Sequence, residues 1–378
     1  MLTVAIDAGP LHGPRTGVGT AVAGLLDALG GRDELRLHQY VLSARARLAD
    51  GQRRLPLPAS AAVRLWSRPT PDRLRPLYTR ALGGPDLVHG TNYVVPPSDV
   101  PRIVSVYDCW FLRNPAEVLP DVRRAGAALR RAADEGAHVV TSSRATTDEV
   151  RQLLGTDRVH TVHLGAPAVD DSTTAGGGHE PGDAADPALV AALGDSPFIL
   201  SLGTGERRKN LPTLIDAFGR LAGEHETVHL VLAGQQGNDE PAITRALARR
   251  SESTRDRIHR PGPVSDATRR WLLRRATALA YPSLDEGFGF PILEAQQAGT
   301  PVVAAAAGSI PEIAGSAALL SPPTDVEALA ANLFWVLDDP AMYDKLARRG
   351  RTNLERFSWN RTADEMLAVY QHVIGDDT

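Results

Sequence analysis

The chain has 378 residues, 43% of them hydrophobic, which suffices for two domains that each bury a core. No stretch approaches the ~18 consecutive apolar residues that a membrane span needs, and residues 1–7 predict a strand rather than a secretion signal. The single cysteine, Cys109, excludes an intramolecular disulfide and suits a reducing compartment, so a cytoplasmic location is expected.

The net charge of −4 is unevenly distributed along the chain. Residues 1–170 carry 21 basic against 17 acidic residues, so +4, and the remainder carries 20 against 28, so −8. Nine arginines lie between Arg45 and Arg80, where the only acidic residues are Asp50 and Asp72. Such a run is typical of a solvated surface. The alternatives are a peripheral membrane contact at the inner face through Arg45–Arg80 and the binding of an acidic acceptor. The negative total and the lack of aromatic-interleaved basic motifs exclude nucleic acid as a partner.

The first half alternates short β-rich runs with helical patterns. The predicted strands are Leu2–Asp7, Leu35–Leu42, 86–89, 103–107 and His138–Thr141. The predicted helices cover residues 18–30, 70–82, 115–135 and 144–154. Strands that alternate with helices favour a parallel sheet covered on both faces, so residues 1–169 are predicted to form a Rossmann-like domain.

Residues 170–196 interrupt this alternation. They are rich in Asp, Thr, Gly and Pro and contain almost nothing to bury, which predicts a flexible linker and a domain boundary.

Alternation resumes after the predicted linker. The predicted strands are Phe198–Leu202, 228–233, Ala278–Tyr281 and 301–305. The predicted helices are 211–222, 243–250, 266–276, 291–298 and 326–337. Residues 197–359 thus form a second doubly wound α/β domain, and a last helix within 360–378 is expected to pack back towards the N-terminal domain. Two such domains place a ligand cleft between the carboxyl ends of their strands.

A glycine-rich segment follows the first predicted strand, with Gly17 and Gly19 just before a helical run. Glycines at such a turn let backbone amides approach a phosphate, and a helix N-terminus favours negative charge. A plain tight turn is an equal alternative, because the full dinucleotide fingerprint and a ribose-binding acid are both missing.

A second loop, residues 203–210, follows the strand Phe198–Leu202 and contains Thr204, Arg208 and Lys209. Cations at the end of a strand in a cleft neutralise a diphosphate leaving group. Only two of the 41 basic residues are lysines, Lys209 and Lys345, which indicates that a compact point charge is required here. The alternative is a solvated charge cluster, although cations beside a helix N-terminus are unfavourable.

Paired glutamates lie in the segment after the predicted strand Ala278–Tyr281. Glu286 lies in a glycine-punctuated loop and Glu294 in the following helix, so that both carboxylates are expected to face one cavity. Favourable interaction with the helix dipole would explain Glu294 alone. It would not explain Glu286, nor Phe288 and Phe290, which are expected to be exposed around Gly289.

Taken in order, these motifs resemble those of the family 4 retaining glycosyltransferases. The shared features are the Glu-x7-Glu pair Glu286 and Glu294, and the Pro282-Ser283, Gly287-Phe288-Gly289, Gly299-Thr300-Pro301, Arg208-Lys209-Asn210 and Phe357-Ser358-Trp359 segments. The N-terminal half is similar in outline through Thr16-Gly17-Val18-Gly19. The resemblance covers nearly the whole chain except the predicted linker.

The resemblance implies a GT-B fold, with the acceptor on the N-terminal domain and the nucleotide sugar bound mainly by the C-terminal domain. It implies that Arg208 and Lys209 hold the donor diphosphate and that Glu286 binds sugar hydroxyls. The amides of residues 288–290 would approach sugar and phosphate, and Glu294 would reach the ribose. Gly17, Gly19 and Thr204 complete the implied donor-binding set. Transfer would proceed with retention and without a metal, and the sequence contains no Asp-x-Asp pair.

Two positions depart from the family pattern. Tyr107-Asp108 replaces the His-Asp pair of many relatives, which leaves Asp108 as a candidate catalytic residue beside an altered neighbour. Thr204 lies near the place of a diphosphate-binding arginine, so that Arg207 or Arg208 is expected to supply that charge.

The resulting hypothesis is a hexosyltransferase of polysaccharide biosynthesis that uses a nucleotide sugar, with GDP-mannose favoured, and a glycan or lipid-linked acceptor. The nucleotide sugar is a substrate, and no cofactor is expected. A front-face route is preferred because no carboxylate is marked as a nucleophile. The alternatives are another GT-B enzyme of sugar nucleotides, such as an epimerase, and a non-catalytic sugar-nucleotide-binding partner in glycan assembly.

Overall fold

The computed structural model describes residues 1–13, 16–43, 46–55, 57–167 and 185–376. The chain divides into two compact units. One comprises Met1–Gly165 and Phe357–Thr378, and the other comprises Ala166–Arg356. Within the described residues, no helix combines the length and the apolar character needed to cross a bilayer.

The N-terminal unit is built on one sheet with helices on both faces. Its strands are β1 (Leu2–Asp7), β2 (Leu35–Leu42), β3 (Arg53–Leu55), β4 (Leu87–Gly90), β5 (Arg102–Val106), β6 (His138–Thr141) and β7 (Val159–Thr161). Its first helices are α1 (Gly17–Gly30), α2 (Ala59–Trp66), α3 (Arg75–Ala81), α4 (Trp110–Arg113), α5 (Pro120–Asp134) and α6 (Arg144–Leu154). Short 3₁₀ turns cover Gly9–Leu11 and Asp72–Leu74.

The strand order of this sheet is β3-β2-β1-β4-β5-β6-β7, and all pairs are parallel. The chain runs outward from β1 to β3 and then returns to β4 on the other side of β1. The carboxyl ends of β1 and β4 therefore form a topological switch point, where ligands of such sheets bind. Val4, Ala5 and Ile6 are fully buried, as expected for a central parallel strand covered on both faces.

The C-terminal unit repeats this design. Its strands are β8 (Phe198–Leu202), β9 (His229–Ala233), β10 (Ile258–Gly262), β11 (Ala278–Tyr281), β12 (Val302–Ala305) and β13 (Ala318–Ser321). Its helices are α7 (Pro187–Leu193), α8 (Leu211–Glu224), α9 (Glu240–Ala248), α10 (Glu252–Arg255), α11 (Asp266–Arg275), α12 (Phe290–Ala298), α13 (Ile310–Ala314), α14 (Val326–Asp338) and α15 (Pro340–Leu354). A 3₁₀ turn covers Arg207–Lys209.

The second sheet has the order β10-β9-β8-β11-β12-β13, again with parallel pairs. The chain leaves β8 towards β9 and β10 and returns to β11 on the opposite side of β8. Since β8 and β11 are hydrogen-bonded neighbours, the loops that follow them lie side by side at a second switch point. This arrangement brings residues 203–210 next to residues 282–289.

The last helix, α16 (Trp359–Asp376), belongs to the N-terminal unit, where Met366, Tyr370 and Val373 join the same core as residues of α1. The ring of Trp359 occupies the place where a Cβ on Gly24 would lie, 2.2 Å from its nearest ring carbon. The Phe357-Ser358-Trp359 segment therefore leads into α16, whose packing depends on a small residue, Gly24, in α1.

The predicted α/β fold with two doubly wound parallel sheets is confirmed. The predicted elements Leu2–Asp7, Leu35–Leu42, His138–Thr141, Phe198–Leu202 and Ala278–Tyr281 have the bounds that the structure shows. The elements that sequence analysis missed include β3, β7, β10, β13 and α15. The missed strands have three to five residues and are largely half-exposed, so they lack the apolar run that marks a buried strand.

The linker predicted for residues 170–196 lies outside the described residues as far as residue 184. Its last part is structured: Pro187–Leu193 forms α7, and the Asp186 side chain accepts hydrogen bonds from the first helical amides. Leu189 and Leu193 pack into the core of the C-terminal unit, which explains why this stretch is a helix rather than a linker.

Candidate functional site

The loop after β8 is held in place by Asn210. Its backbone is left-handed, with φ of 55°, and it separates the 3₁₀ turn Arg207–Lys209 from α8. Its side-chain Nδ2 donates to the carbonyl oxygens of Pro282 at 3.1 Å and Pro323 at 2.7 Å. Asparagine tolerates this backbone conformation better than most residues, and here the amide also ties the loop to its neighbour.

The loop after β11 is fixed mainly through its backbone. The amide of Leu284 donates to the carbonyl of Arg208 at 2.7 Å, and the amide of Ser309 donates to the carbonyl of Glu286 at 2.9 Å. Gly308, with φ of 51°, lies so close to Glu286 that a Cβ would fall 2.8 Å from its amide nitrogen. The backbone of Glu286 is therefore clamped between two loops.

These loops bring Arg208, Lys209 and Glu286 together in one ion cluster. Lys209 Nζ lies 2.5 Å from Glu286 Oε1, and Arg208 Nη1 lies 2.7 Å from Glu286 Oε2. Ser283 Oγ donates to Glu286 Oε1 at 2.7 Å. Glu286 is only 7% exposed, so the cluster forms where solvent screening is weak.

Two further side chains extend the cluster. Glu206 Oε2 accepts from Arg208 Nε at 2.8 Å, so that Arg208 bridges two carboxylates. Lys209 Nζ lies 3.3 Å from the hydroxyl of Tyr281 and 5.1 Å from its ring centroid. A cation over an aromatic face is stabilised by the ring quadrupole, which adds to the fixation of the lysine.

The charge state of the cluster follows from burial and pairing. Burial raises the pKa of Glu286, but the charges of Lys209 and Arg208 and the hydrogen bonds from Lys209 and Ser283 outweigh it and lower the pKa to about 2. Burial lowers the pKa of Lys209 from its ordinary value, and the Glu286 charge opposes that shift. Glu286 is therefore ionised at neutral pH and keeps two cations at the carboxyl edge of the sheet.

Glu294 has a different partner from Glu286. It lies in α12 and forms an ion pair with Arg269 of α11, whose Nη2 donates to Oε2 and whose Nε lies 3.3 Å from Oε1. The two-point contact orients the carboxylate and leaves it half-buried. Glu286 and Glu294 thus have different ion-pair partners.

A cavity of about 160 Å³ opens at the same edge, between the ends of β8, β9, β10 and β11. Its lining includes Lys209, Tyr281, Ser283, Arg260 and Gly203. Neither glutamate of the Glu-x7-Glu pair is among the lining residues, so the cavity that both were expected to share does not appear there.

The expected exposure of Phe288 and Phe290 is wrong. Phe288 is 5% exposed, Phe290 is half-buried, and their rings meet edge to face at 5.2 Å. Gly289 between them has φ of 110°, a backbone turn that directs Phe288 inward, and the Phe288 carbonyl accepts from Ser309 Oγ at 2.9 Å. Both rings pack against the protein instead of facing solvent.

The remaining candidate residues are distributed over both units. Thr204 lies half-buried in the loop after β8. Gly17 and Gly19 begin α1 in the N-terminal unit, where the Gly19 amide donates to the capping oxygen Thr16 Oγ1 at 3.2 Å. That amide is already satisfied by the N-cap.

Asp108 also belongs to the N-terminal unit, just after β5. Its Oδ2 accepts from the hydroxyl of Tyr93 at 3.2 Å, and its Oδ1 accepts from the amide of Trp110 at 3.1 Å. Tyr107 beside it is half-buried.

Sequence reasoning missed several residues of the C-terminal site. Ser283 was present in the quoted Pro282-Ser283 pair, which was the available signal for its role. Tyr281 is the last residue of β11, and this position at a strand end is the one sequence signal for its role in the site. Arg269 contacts Glu294 from 25 positions earlier in the chain, and nothing in the local sequence marks it.

Among the described residues, no group of three or more His, Cys, Asp or Glu side chains is arranged to hold a metal ion. The positively charged side chains of the ion cluster are Arg208 and Lys209.

Comparison with known proteins agrees with this geometry. Residues 188–353 match the family model "Glycosyl transferases group 1", and this range contains the entire ion cluster. The chain is 28% identical over 290 residues to the O-antigen chain mannosyltransferase B of Escherichia coli, covering 75% of this chain and 74% of that protein. It is 34% identical over 240 residues to the D-inositol 3-phosphate glycosyltransferase of Xylanimonas cellulosilytica, covering 61% and 56%.

A shorter stretch of the chain has a higher identity to another relative. Over 123 residues the chain is 40% identical to the MMP alpha-(1->4)-mannosyltransferase of Mycolicibacterium hassiacum, which covers 32% of this chain and 30% of that protein.

Solved structures match over nearly the whole chain. Sucrose-phosphate synthase from Thermosynechococcus elongatus superposes with a TM-score of 0.71 at 18% identity and covers all of both chains. The lipopolysaccharide glycosyltransferase WaaG gives 0.67 at 16% identity, covering 96% and 98%. At this identity the likeness shows the fold alone. Residues 188–353 of the C-terminal unit therefore match the glycosyltransferase group 1 family model, and the chain has the same fold as GT-B glycosyltransferases.

Proposed function

We propose that the protein is a retaining, metal-independent glycosyltransferase that moves a hexose from a nucleotide sugar to a hydroxyl of a glycan or lipid-linked acceptor. One observation carries the proposal: Lys209 and Arg208 converge on the buried Glu286 at the switch point between β8 and β11. Two fixed cations in a poorly screened edge of a group 1 glycosyltransferase domain suit a diphosphate leaving group.

The proposed chemistry is a front-face transfer. The bond between the anomeric carbon and the diphosphate oxygen breaks, and the acceptor oxygen bonds to the same face of that carbon. The acceptor proton passes to the departing phosphate oxygen. Lys209 and Arg208 stabilise the negative charge that develops on the diphosphate. Because the folded protein already holds both side chains in place, they need little reorganisation during the reaction.

Glu286 serves as an anchor in this scheme rather than as a nucleophile. Both of its oxygens are engaged, by Lys209 and Ser283 on one side and by Arg208 on the other. A carboxylate so strongly stabilised in its ionised form is a poor nucleophile. Its contribution is to hold the two cations and to accept from donor-sugar hydroxyls.

The other contacts with the donor are proposed from where the candidate residues lie in the structure. Thr204 and the amides around Phe288, Gly289 and Phe290 approach the sugar and the phosphates. Glu294, oriented by Arg269, accepts from the ribose hydroxyls. Gly17 and Gly19, at the start of α1, are proposed to contact the donor phosphates through their backbone.

Mannose from GDP-mannose is the favoured donor. The relatives named as mannosyltransferases from Escherichia coli, Mycolicibacterium hassiacum and Mycolicibacterium smegmatis support this choice. A structural neighbour from Anabaena, solved with UDP and glucose, makes UDP-glucose the matched comparison in any assay.

A membrane-facing surface is proposed on the N-terminal unit. Leu65 and Leu77 are exposed on α2 and α3, and Leu77 is 61% exposed. Leu74 is exposed in the turn before α3, and Leu119 is exposed just before α5, a helix that contacts α2. The exposed arginines of the same helices and their connection are Arg64, Arg68, Arg73 and Arg80. Exposed leucines among arginines complement a surface of anionic lipid, which would bring the enzyme to a lipid-linked acceptor.

The proposed reaction is tested with the donor alone, because glycosyltransferases slowly hydrolyse their donors. The protein is incubated with GDP-α-D-mannose or UDP-α-D-glucose, and the anomer first released is read by proton NMR. Release of the α-anomer is expected, at a rate about 10²–10³-fold lower in Lys209→Ala and unchanged in Lys345→Ala, the chain's other lysine. Initial release of the β-anomer would refute retention, and an epimerised nucleotide sugar would identify an epimerase.

A further inference from the structure

The ion cluster of the C-terminal unit contains as many negative as positive side chains. Its cations are Arg208 and Lys209, and its carboxylates are Glu206 and Glu286. Burial lowers the pKa of Lys209, and the charges of both carboxylates oppose that shift. Because the four charges cancel, a diphosphate that approaches this arrangement meets little net attraction. One of the carboxylates therefore has to release its cation for the diphosphate to bind fully.

Glu286 is held too firmly to be that carboxylate. Its side chain is 7% exposed, and its two oxygens accept from Lys209, Arg208 and Ser283. Its backbone is held as well, because its carbonyl accepts from the amide of Ser309 at 2.9 Å. Separating a buried charge from its partners is strongly unfavourable, so Glu286 is expected to keep its contacts when a diphosphate binds.

Glu206 is the carboxylate that can leave. Its side chain is 40% exposed, and its Oε2 accepts from Arg208 Nε at 2.8 Å. Ion pairs that are open to solvent contribute little to stability, so this contact is broken at small cost. The backbone of Glu206 is fixed, since its amide donates to the Thr204 carbonyl at 2.7 Å and its carbonyl accepts from the Lys209 amide at 2.8 Å. The side chain can therefore turn towards solvent while the loop stays in place.

The contact with Glu206 occupies a part of Arg208 that phosphate uses. A guanidinium binds a phosphate through two N–H groups on one edge. In the structure Glu286 accepts from Nη1 of Arg208 and Glu206 accepts from Nε, so each carboxylate holds a different corner of the group. Glu206 directly follows Gly205, which lines the cavity of about 160 Å³ together with Lys209. A phosphate that enters beside Lys209 thus competes with Glu206 for Arg208 Nε.

We infer that Glu206 regulates the donor site by competing with the donor diphosphate for Arg208. The Glu206 carboxylate neutralises Arg208 when no diphosphate is bound, and it turns towards solvent when a diphosphate binds. Its return to Arg208 competes with the nucleotide product and promotes product release. Glu206 is therefore a positioning residue that acts through Arg208. The inference rests on the proposed transferase function and adds a regulation of its donor affinity.

The opposite role for Glu206 is to orient Arg208 towards the phosphates. The two roles predict opposite effects of removing the carboxylate charge. Loss of a competing carboxylate tightens the binding of a diphosphate, whereas loss of an orienting partner weakens it. The sign of the change in diphosphate affinity therefore decides between the two roles.

The test measures the binding of GDP, inorganic pyrophosphate and guanosine by isothermal titration calorimetry. Glu206→Gln is expected to bind GDP and pyrophosphate about fivefold more tightly than the wild type, the size expected for an exposed ion pair, and to bind guanosine equally well. Glu206→Asp, which keeps the charge, should change the affinity less. The matched control is Glu226→Gln, at an exposed position beyond the far end of α8. It removes the same charge about 20 Å away, where salt screens its effect.

Three results would overturn the inference: unchanged or weaker pyrophosphate binding in Glu206→Gln, an equal gain in Glu226→Gln, or an equal gain for guanosine. Pyrophosphate separates the inference from the proposed function, because it needs no nucleotide site. If the wild type binds pyrophosphate but none of GDP, UDP, dTDP and ADP, the transferase proposal fails, and the pyrophosphate affinities still decide the role of Glu206. If neither pyrophosphate nor any of these nucleotides binds, both are overturned.

Discussion

Glu286 is the residue on which the C-terminal site depends. Replacing it by glutamine removes one buried charge and leaves Lys209 and part of Arg208 without their partner. Because an unpaired buried charge is costly, Glu286→Gln is expected to lower the free energy of unfolding by about 2–3 kcal/mol. Urea denaturation measures this, and Glu206→Gln, at a more exposed partner of Arg208, should cost less than about 1 kcal/mol. Equal effects of the two substitutions would show that burial of the pair is unimportant.

Glu286 also makes the stability of the folded protein depend on pH in the acidic range. The pKa of Glu286 is depressed in the folded state, so its contribution to stability is present above the ordinary carboxyl range and is lost as the pH falls towards 2.

Asp7 is expected to have the opposite pH dependence. Its pKa is raised by burial to about 7 in the folded state, so its contribution is most favourable below its unfolded pKa and is lost as the pH rises through 7. Asp7→Asn should therefore match the wild type near pH 4 and be more stable above pH 8, by about 4 kcal/mol. Thermal unfolding across this pH range provides the measurement. The control Asp27→Asn, at an exposed position in α1, should run parallel to the wild type, and a parallel curve for Asp7→Asn would contradict the assignment.

Individual residues were predictable from sequence where a motif carried them. The resemblance to family 4 glycosyltransferases predicts Arg208, Lys209 and Glu286 together, because it combines the loop after β8 with the Glu-x7-Glu pair. Arg269 and Tyr281 could not be found in this way, since their roles arise from the packing of α11 and β11 against other elements. The inward packing of Phe288 depends on the left-handed turn at Gly289, which composition alone does not reveal.

At the scale of elements, the packing of α16 on α1 depends on the absence of a side chain at Gly24. A Cβ at Gly24 would lie 2.2 Å from the rigid ring of Trp359, and ring and backbone cannot both be retained. Gly24→Ala is expected to destabilise the N-terminal unit by about 2–3 kcal/mol, despite the better helix propensity of alanine.

The control lies in the same helix. Nothing lies within 4 Å of a Cβ placed on Gly30, so Gly30→Ala should be neutral or slightly stabilising. Urea midpoints of both variants test the packing, and an unchanged midpoint in Gly24→Ala would show that Trp359 is not seated there.

The strands and helices that the sequence predicts correctly are mostly the buried ones. β1, β8 and β11 are predicted with correct bounds because a buried central strand is a nearly continuous apolar run. β10 has half-exposed residues and contains proline and arginine, so its pairing with β9 is set by the sheet rather than by its own sequence. α7 was taken for linker because its seven residues follow a long polar segment and are held by contacts distant in sequence.

At the scale of the whole molecule, the proposed lipid-facing surface predicts charge-dependent membrane binding. The protein should sediment with vesicles that contain phosphatidylglycerol and not with pure phosphatidylcholine, and binding should fall at high salt. Replacing both Arg73 and Arg80 by serine should weaken binding roughly 30-fold, from about 1 kcal/mol for each arginine.

The matched control replaces Arg348 and Arg351 by serine, at exposed positions of α15 in the other unit. It changes the net charge equally, so that equal weakening in the two variants would indicate a general charge effect rather than a membrane-facing surface.

The central claim is that Lys209 and Arg208 form a nucleotide-diphosphate site, and a thermal-shift titration tests it most directly. GDP, UDP, dTDP and ADP are each titrated against the wild type, Lys209→Ala and Lys345→Ala. Ligand at about 100 times its dissociation constant stabilises the folded state by about 2.7 kcal/mol, which raises the melting temperature by several degrees. The account predicts such a rise with GDP in the wild type and in Lys345→Ala, and its loss in Lys209→Ala. A larger rise with another diphosphate would keep the site and replace GDP-mannose as the donor. No rise with any of the four, or an undiminished rise in Lys209→Ala, would contradict the account.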